Sequence, residues 1–410
     1  MDTYTLSSII LTLAVIIGYL NHRFIQMQST IAIMTAALGL SAILLILQHF
    51  GIANIAIKTE AIVANINFPD LLLKGMLSFL LFAGALTIDF SSLKDQKWEI
   101  GILSSLSTIV SALIVGILVY YLLPLLSIHL PLLYCLLFGA LISPTDPIAV
   151  LATFKKIGVP KALKVCVAGE SLFNDGVGIV IFATLYALTF NGTPITFEQV
   201  SLLFLKQAVG GIAYGLLLGY VTNWLIKSIN DHRIAILLTL GAVTGGYAFA
   251  LWLGISGPLA MVVTGILVGN KNIHKKQTKM SESLDIFWEV IDEILNAVLF
   301  LLIGFELLNI QASGLQIIAI LGAIPLVLFV RLLTVAIPMK LIQLRRQHNP
   351  YTIAILTWGG LRGGLAVALA LSLPPSDYRN FILAMTYGVV AFAVIVQGLS
   401  IKPLAHLSKQ

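Results

Sequence analysis

Residues 132–154 read LLYCLLFGALISPTDPIAVLATF, an apolar run with Pro144, Thr145, Asp146 and Pro147 in its middle. A helix crossing the hydrocarbon core of a bilayer needs about 20 apolar residues, so the run is long enough to span. Each proline removes an amide donor and clashes with the preceding turn, which predicts a break in the helix. Non-helical backbone at membrane depth is tolerated only where it lines a cavity or is covered by protein. A proline kink accounts for Pro144 and Pro147 but not for the carboxylate between them. An ionisable group there costs at least about 2.5–3.5 kcal/mol on insertion scales, which makes Asp146 a functional candidate.

The rest of the chain fits that setting. Of its 410 residues 59% are hydrophobic and 10% are charged, against roughly 25% charged in soluble domains, and the mean hydropathy is +1.00. This composition indicates an all-α polytopic membrane protein. No polar stretch is long enough to fold alone, which argues against a soluble enzyme on an anchor. Apolar runs between polar breaks predict thirteen helices, near 4–20, 29–48, 70–88, 100–124, 131–154, 162–189, 202–226, 234–252, 255–270, 287–308, 314–341, 350–373 and 379–403. Connections after odd-numbered runs, with the C-terminal tail, hold 18 of the 24 Lys and Arg residues. By the positive-inside rule this predicts an outside N-terminus and a cytoplasmic C-terminus, and it gives the net charge of +6 no need of a nucleic-acid partner. The first positive charge, Arg23, follows the first apolar run, so that run is expected to stay as a helix and not to serve as a cleaved leader. Cys135 and Cys166 lie in or beside apolar runs and read as core filler. The polar connection from Asn270 to about Asp285 reads as a solvated loop or an amphipathic surface segment.

The sixth run, VAGESLFNDGVGIVIFATL, projects four polar groups from little more than one turn. Ser171 and Asp175 stack on one face and Glu170 and Asn174 on its neighbour. Glu170 and Asp175 need buried partners or a function, and Arg331 and Arg362, inside the eleventh and twelfth runs, are the available guanidinium groups. The stretch Gly359-Gly360-Leu361-Arg362-Gly363-Gly364 predicts a second mid-membrane break. Runs 1–6 and 8–13 make two sets of six of opposite orientation about one linking run, and the fifth corresponds to the twelfth. Both are interrupted, which is the mark of inverted-repeat secondary transporters with a midplane site. Crossed breaks bring helix N- and C-terminal ends together, where Asp146 and Arg362 respectively compensate them. Asp175 is then free to exchange partners. Burial favours the protonated acid and a bound cation favours the carboxylate, so proton and cation compete for one group.

SPTDPIAV, GESLFNDGVG, FWEVIDEILNAVLFLLIGFELL and GGLRGGLAVALAL together resemble the NhaP-type cation:proton antiporters, relatives of the eukaryotic sodium/proton exchangers. The resemblance covers almost the whole chain. It implies a homodimer of thirteen-helix protomers in the cell membrane of a prokaryote, exchanging sodium and also lithium for protons by elevator-like movement and serving pH homeostasis, with lipid around it and no cofactor. The implied division places dimerisation helices in 1–99 and 233–313, a mobile core in 100–190 and 314–410, and a linking helix in 191–232. Carried onto this chain, the family's Asn-Asp pair falls on Asn174 and Asp175, with Asp175 as carrier of cation and proton. Thr145, Asp146 and Ser171 match the positions that complete the sodium site. Glu170 and Arg331 match a structural ion pair, and Arg362 the arginine of the second break. Asn-Asp in place of Asp-Asp implies electroneutral exchange. Ala83 departs from the pattern, standing where some members carry a glutamate that contributes to the site.

Potassium/proton exchange keeps every one of these features. An intramembrane aspartyl protease built on Asp146 and Asp175 would share a proton between paired carboxylates, but its Tyr-Asp and Gly-x-Gly-Asp contexts are replaced by Thr-Asp-Pro and Asn-Asp. A channel fits fixed charges at two breaks less well than alternating access does. No histidine has ligand spacing to another His, Cys or acid, so metal catalysis has no support. Glu289, Asp292, Glu293 and Glu306 bracket the tenth run as charges suited to an interface or to cation attraction, and Asn296 to helix packing.

Overall fold

The computed structural model describes residues 3–50, 67–190, 197–229, 231–273, 279–306, 308, 314–344 and 349–407. These residues form helices in the order α1 (Thr3–Leu20), α2 (Ser29–His49), α3 (Phe68–Leu86), α4 (Phe90–Asp95), α5 (Lys97–Leu126), α6 (Leu132–Ile142), α7 (Ile148–Ile157) and α8 (Lys161–Phe190). There follow α9 (Phe197–Lys227), α10 (His232–Trp252), α11 (Gly257–Ile273), α12 (Lys279–Glu306), α13 (Gly314–Gln343), α14 (Thr352–Trp358), α15 (Gly364–Leu371) and α16 (Asp377–Leu407). Among the described residues nine of these, α1, α2, α3, α5, α8, α9, α10, α13 and α16, are long and apolar enough to cross a membrane. The chain is a multi-pass membrane protein. The fifth and twelfth apolar runs are each split in two, into α6 with α7 and α14 with α15.

Two apolar clusters organise the packing. One joins α3, α10, α11 and α12 through Phe82, Tyr247, Met261 and Trp288, with Leu172 of α8 at its edge. The other joins α5, α6, α7, α8, α13, α15 and α16 through residues such as Phe138, Val150, Val330, Val367 and Ile382. Helix α12 belongs to both, by Leu284 and Trp288 near its start and by Leu299 to Ile303 near its end. Several buried polar groups pair across the helix contacts: Trp288 donates to Thr239 Oγ1 (3.1 Å), Asn223 to the Leu267 carbonyl (2.8 Å) and Ser41 to the Gly304 carbonyl (3.0 Å). Such pairing is strongly favoured where no water competes.

Two connections between the apolar runs contain helix. α12 starts at Lys279, eight residues before the apolar run at 287, so the polar segment after Asn270 is helical at both ends, while residues 274–278 lie outside the described residues. Leu284 and Trp288, one turn apart, bury against Phe79, Phe82 and Thr239, and a run average blurs such a one-sided stripe with the polar face behind it. α4 forms in the polar stretch after the third run because Asp89 caps it, accepting from the Ser91 amide (3.3 Å) and from the Ser91 and Ser92 hydroxyls. Lys161, at the start of α8, reaches the same carboxylate at 2.9 Å. With the hydroxyls, it holds the Asp89 carboxyl well below the usual carboxylate range.

Candidate functional site

Pro144 and Pro147 end α6 and start α7 with the extended residues Thr145 and Asp146 between them. The two polar faces of α8 grip this segment. Asn174 Nδ2 donates to Thr145 Oγ1 (2.9 Å) and its Oδ1 accepts from the Thr145 amide (3.3 Å). Ser171 Oγ stands 2.9 Å from Thr145 Oγ1 and donates to the Thr145 carbonyl at 2.5 Å. Ser171 and Asn174 are both buried, and Thr145 with them. The amide and carbonyl of Thr145, which the break takes out of helix, thus find side-chain partners on α8.

The second break crosses the first. Asp146 donates its amide to the Leu361 carbonyl at 2.8 Å, an isolated antiparallel bridge between segments more than two hundred residues apart. The approach requires Gly363, because a Cβ there would lie 2.1 Å from Asp146 Oδ2. At Gly360 a Cβ would lie 2.6 Å from Arg331 Nε. The helix ends at the crossing meet opposite charges. Arg362 Nη1 donates to the Ser143 (2.6 Å) and Pro144 (2.9 Å) carbonyls at the C-terminal end of α6. Asp146 Oδ1 accepts from the Ile148 amide (3.0 Å) at the N-terminal end of α7. Arg331 Nη2 donates to the Leu356 carbonyl (2.9 Å) and Gln397 to that of Trp358 (2.9 Å), so the C-terminal end of α14 is satisfied too. These placements follow the field of the aligned peptide dipoles.

The other arginine contact is an ion pair. Arg331 Nη1 meets Glu170 Oε1, with side chains only 7% and 2% exposed. Glu170 therefore lies on the side of α8 that faces α13, where its pair with Arg331 braces the second break from behind. Asp175 sits one turn beyond Ser171, partly accessible, and among the described residues its carboxylate has no hydrogen-bond or ion-pair partner, while the charge of Asp146 acts on it. Thr145, Asp146, Ser171, Asn174 and Asp175 are thus gathered at one place with Arg362 behind the break, and Glu170 with Arg331 forms a separate buried pair. Ala83 is buried in the cluster that includes Leu172, the neighbour of Ser171. The sequence reading did not foresee the Asp146–Leu361 bridge or the need for glycine at 363. The doubled glycines on either side of Arg362 were the available signal.

Chemically the crossing offers a partnerless carboxylate, two hydroxyls, a second carboxylate and peptide carbonyls in an otherwise apolar body. That combination suits a small cation or a proton and holds no activated nucleophile. Residues 9–407 match the family described as sodium/hydrogen exchanger, transmembrane. The chain is 43% identical to the Na(+)/H(+) antiporter NhaP of Pseudomonas aeruginosa over 97% of this chain and 95% of that one. It is 34% identical to the Na(+)/H(+) antiporter NhaH of Halobacillus dabanensis, covering 93% and 96%. Among solved structures, that of the sodium proton antiporter MjNhaP1 from Methanocaldococcus jannaschii superposes with a TM-score of 0.76 at 19% identity, over 97% of this chain and 96% of that one.

Proposed function

This chain belongs to the sodium/hydrogen exchanger family, and from that premise we propose that it exchanges sodium, and also lithium, for protons across the cell membrane. The observation that carries the reading is Asp175: a carboxylate inside an apolar body, partly accessible and without a partner among the described residues. A permanently paired acid would be silent, whereas a free one takes either a proton or a cation. Ser171, Thr145 and carbonyls at the break supply the further oxygens that a bare monovalent cation needs, by the same hard-ion preference that governs other hard cations. Asn174 is neutral and is occupied in holding Thr145. One titrating carboxylate then trades one proton for one cation, and exchange is electroneutral.

In this reading the thirteen runs are thirteen crossings, in two inverted sets of six about the linking helix α9, with the N-terminus outside. The core comprises α5–α8 and α13–α16, tied together by the crossed breaks, the Glu170–Arg331 pair and the Ser107 bond to the Thr334 carbonyl (2.7 Å). It moves as a unit against α1–α3 and α10–α12, which carry the contact to a second protomer. Because the breaks and α8 are bonded to one another more tightly than to α3 or α11, a rigid displacement keeps the site intact while its access changes sides. The reaction is transport and no bond is made or cleaved.

The test is reconstitution of the purified chain in liposomes with an imposed pH gradient, following internal pH on addition of sodium, lithium, potassium or choline. Collapse with sodium and lithium, insensitive to membrane potential and lost in Asp175→Asn while that variant stays monodisperse, is the expected result. Collapse with potassium alone would transfer the reading to potassium/proton exchange. Undiminished exchange by Asp175→Asn would remove Asp175 as carrier.

A further inference from the structure

Helix α12 carries acids that the antiport site does not use. Asp292, Asn296, Leu299 and Ile303 follow one another at helical spacing on one face. The lower part of that face lies on the second break: a Cβ at Gly364 would meet Leu299 Cδ1 at 2.5 Å and Ile303 Cδ1 at 2.9 Å. At the other end Glu289 pairs with Lys155, in the last turn of α7, at 3.6 Å in the open. α12 is thereby tied to the far end of α7 and to the start of α15, and Asp292 and Asn296 lie between the two ties, beside the crossing. Asn296 is 2% exposed, and its Oδ1 has no hydrogen-bond partner. Its amide is turned to Asp292, on which the charge of Asp146 acts together with those of Glu289 and Glu293.

Among the described residues three buried side-chain amide oxygens lack a donor, those of Gln28, Asn223 and Asn296, and of these only Asn296 has a carboxylate one helical turn away. Packing does not explain it, since leucine fills the same volume without a stranded acceptor. A cation does. The NH2 group of Asn296 donates to Asp292 in this structure; with the amide flipped, its oxygen and the carboxylate one turn away are suitable ligands for a monovalent ion, whose charge also offsets the repulsion from Asp146. The charges also form a graded approach, from exposed Glu289 beside the Lys155 surface, through half-buried Asp292, to Asp146 and Asp175. The lysines at the end of α7 mark that surface as cytoplasmic.

We propose that Asp292 and Asn296 form a second cation station on α12, which takes a partly hydrated monovalent cation from the cytoplasmic side and passes it to the carboxylates at the crossed breaks. The station rests on the antiport reading above. Because α12 stands outside the moving core, it meets the site on one side of the membrane only. Its residues position the cation and do not carry the proton.

The experiment measures initial sodium-driven proton flux against sodium concentration in liposomes for the wild type, Asp292→Asn, Asn296→Leu and Asp292→Glu. Removing the ionisable carboxylate beside the path, in a medium of effective dielectric about 20, is expected to raise the apparent KM for sodium on the order of tenfold. The maximal rate stays near that of wild type, Asp292→Glu restores the KM, and Asn296→Leu raises it in parallel. An unchanged KM in Asp292→Asn, or a fall in maximal rate at constant KM, overturns the station and leaves antiport standing. Wild type without cation-dependent flux overturns antiport and the station with it.

Discussion

Glu170 gives the sharpest separation of structural from transport roles. Its carboxylate is 2% exposed and holds Arg331, which is itself 7% exposed and otherwise bonded through Nη2 to the Leu356 carbonyl. Replacing Glu170 with Gln leaves a guanidinium, which cannot deprotonate, buried without its counter-charge. Breaking a buried pair in this way costs about 3–5 kcal/mol. Out of a total stability of about 5–15 kcal/mol, that is a hundredfold or greater loss in the ratio of folded to unfolded protein. Glu170→Arg is worse, since two guanidinium groups then face each other behind the second break. The assay is size-exclusion chromatography after heating detergent-solubilised protein, run beside sodium titration of whatever folded protein survives. The expected result is a lowered melting temperature for Glu170→Gln, collapse for Glu170→Arg, partial recovery in the swap Glu170→Arg with Arg331→Glu, and an unchanged sodium KM in surviving Glu170→Gln. A well-folded Glu170→Arg protein of unchanged stability would refute the reasoning.

Gly363→Ala places a methyl group where Asp146 Oδ2 now lies, so the crossing must open; overpacking of this kind costs roughly 1–3 kcal/mol, and exchange measured in liposomes should fall far more than the yield of folded protein. The Asp89–Lys161 clamp sets a pH dependence of stability. Its carboxyl is held below the usual range in the folded protein, so its contribution is complete above the ordinary carboxylate value of about 4 and is lost as pH falls through the lower folded value. The melting difference between wild type and Asp89→Asn should therefore be constant from pH 8 to 5 and close on further acidification.

Much of this protein is legible along the chain. The length of apolar runs, the prolines around Thr145 and Asp146, and the glycines around Arg362 declare a polytopic membrane protein with two broken helices, because hydrogen-bond satisfaction in lipid leaves few alternatives. The 100° turn of a helix likewise puts Ser171 and Asp175 together without reference to any other segment. Hydropathy alone misplaced the start of α12, since Leu284 and Trp288 are informative only once Phe82 and Thr239 are known to face them. Chemistry along the chain left Glu170 a choice of guanidinium groups, and only the family resemblance singled out Arg331.

Tertiary structure decided that matter. Arg331 turns to Glu170, 161 positions earlier, and Arg362 turns to the carbonyls of Ser143 and Pro144 and, among the described residues, to no acid. Asp175 is left unpaired as a consequence of those two choices. The physical reason is one of range. Local geometry follows from neighbours on the same helix, but a buried charge settles on whichever partner the packing of distant helices brings within hydrogen-bond reach, and only the folded arrangement of α8, α13 and the two breaks sets that distance.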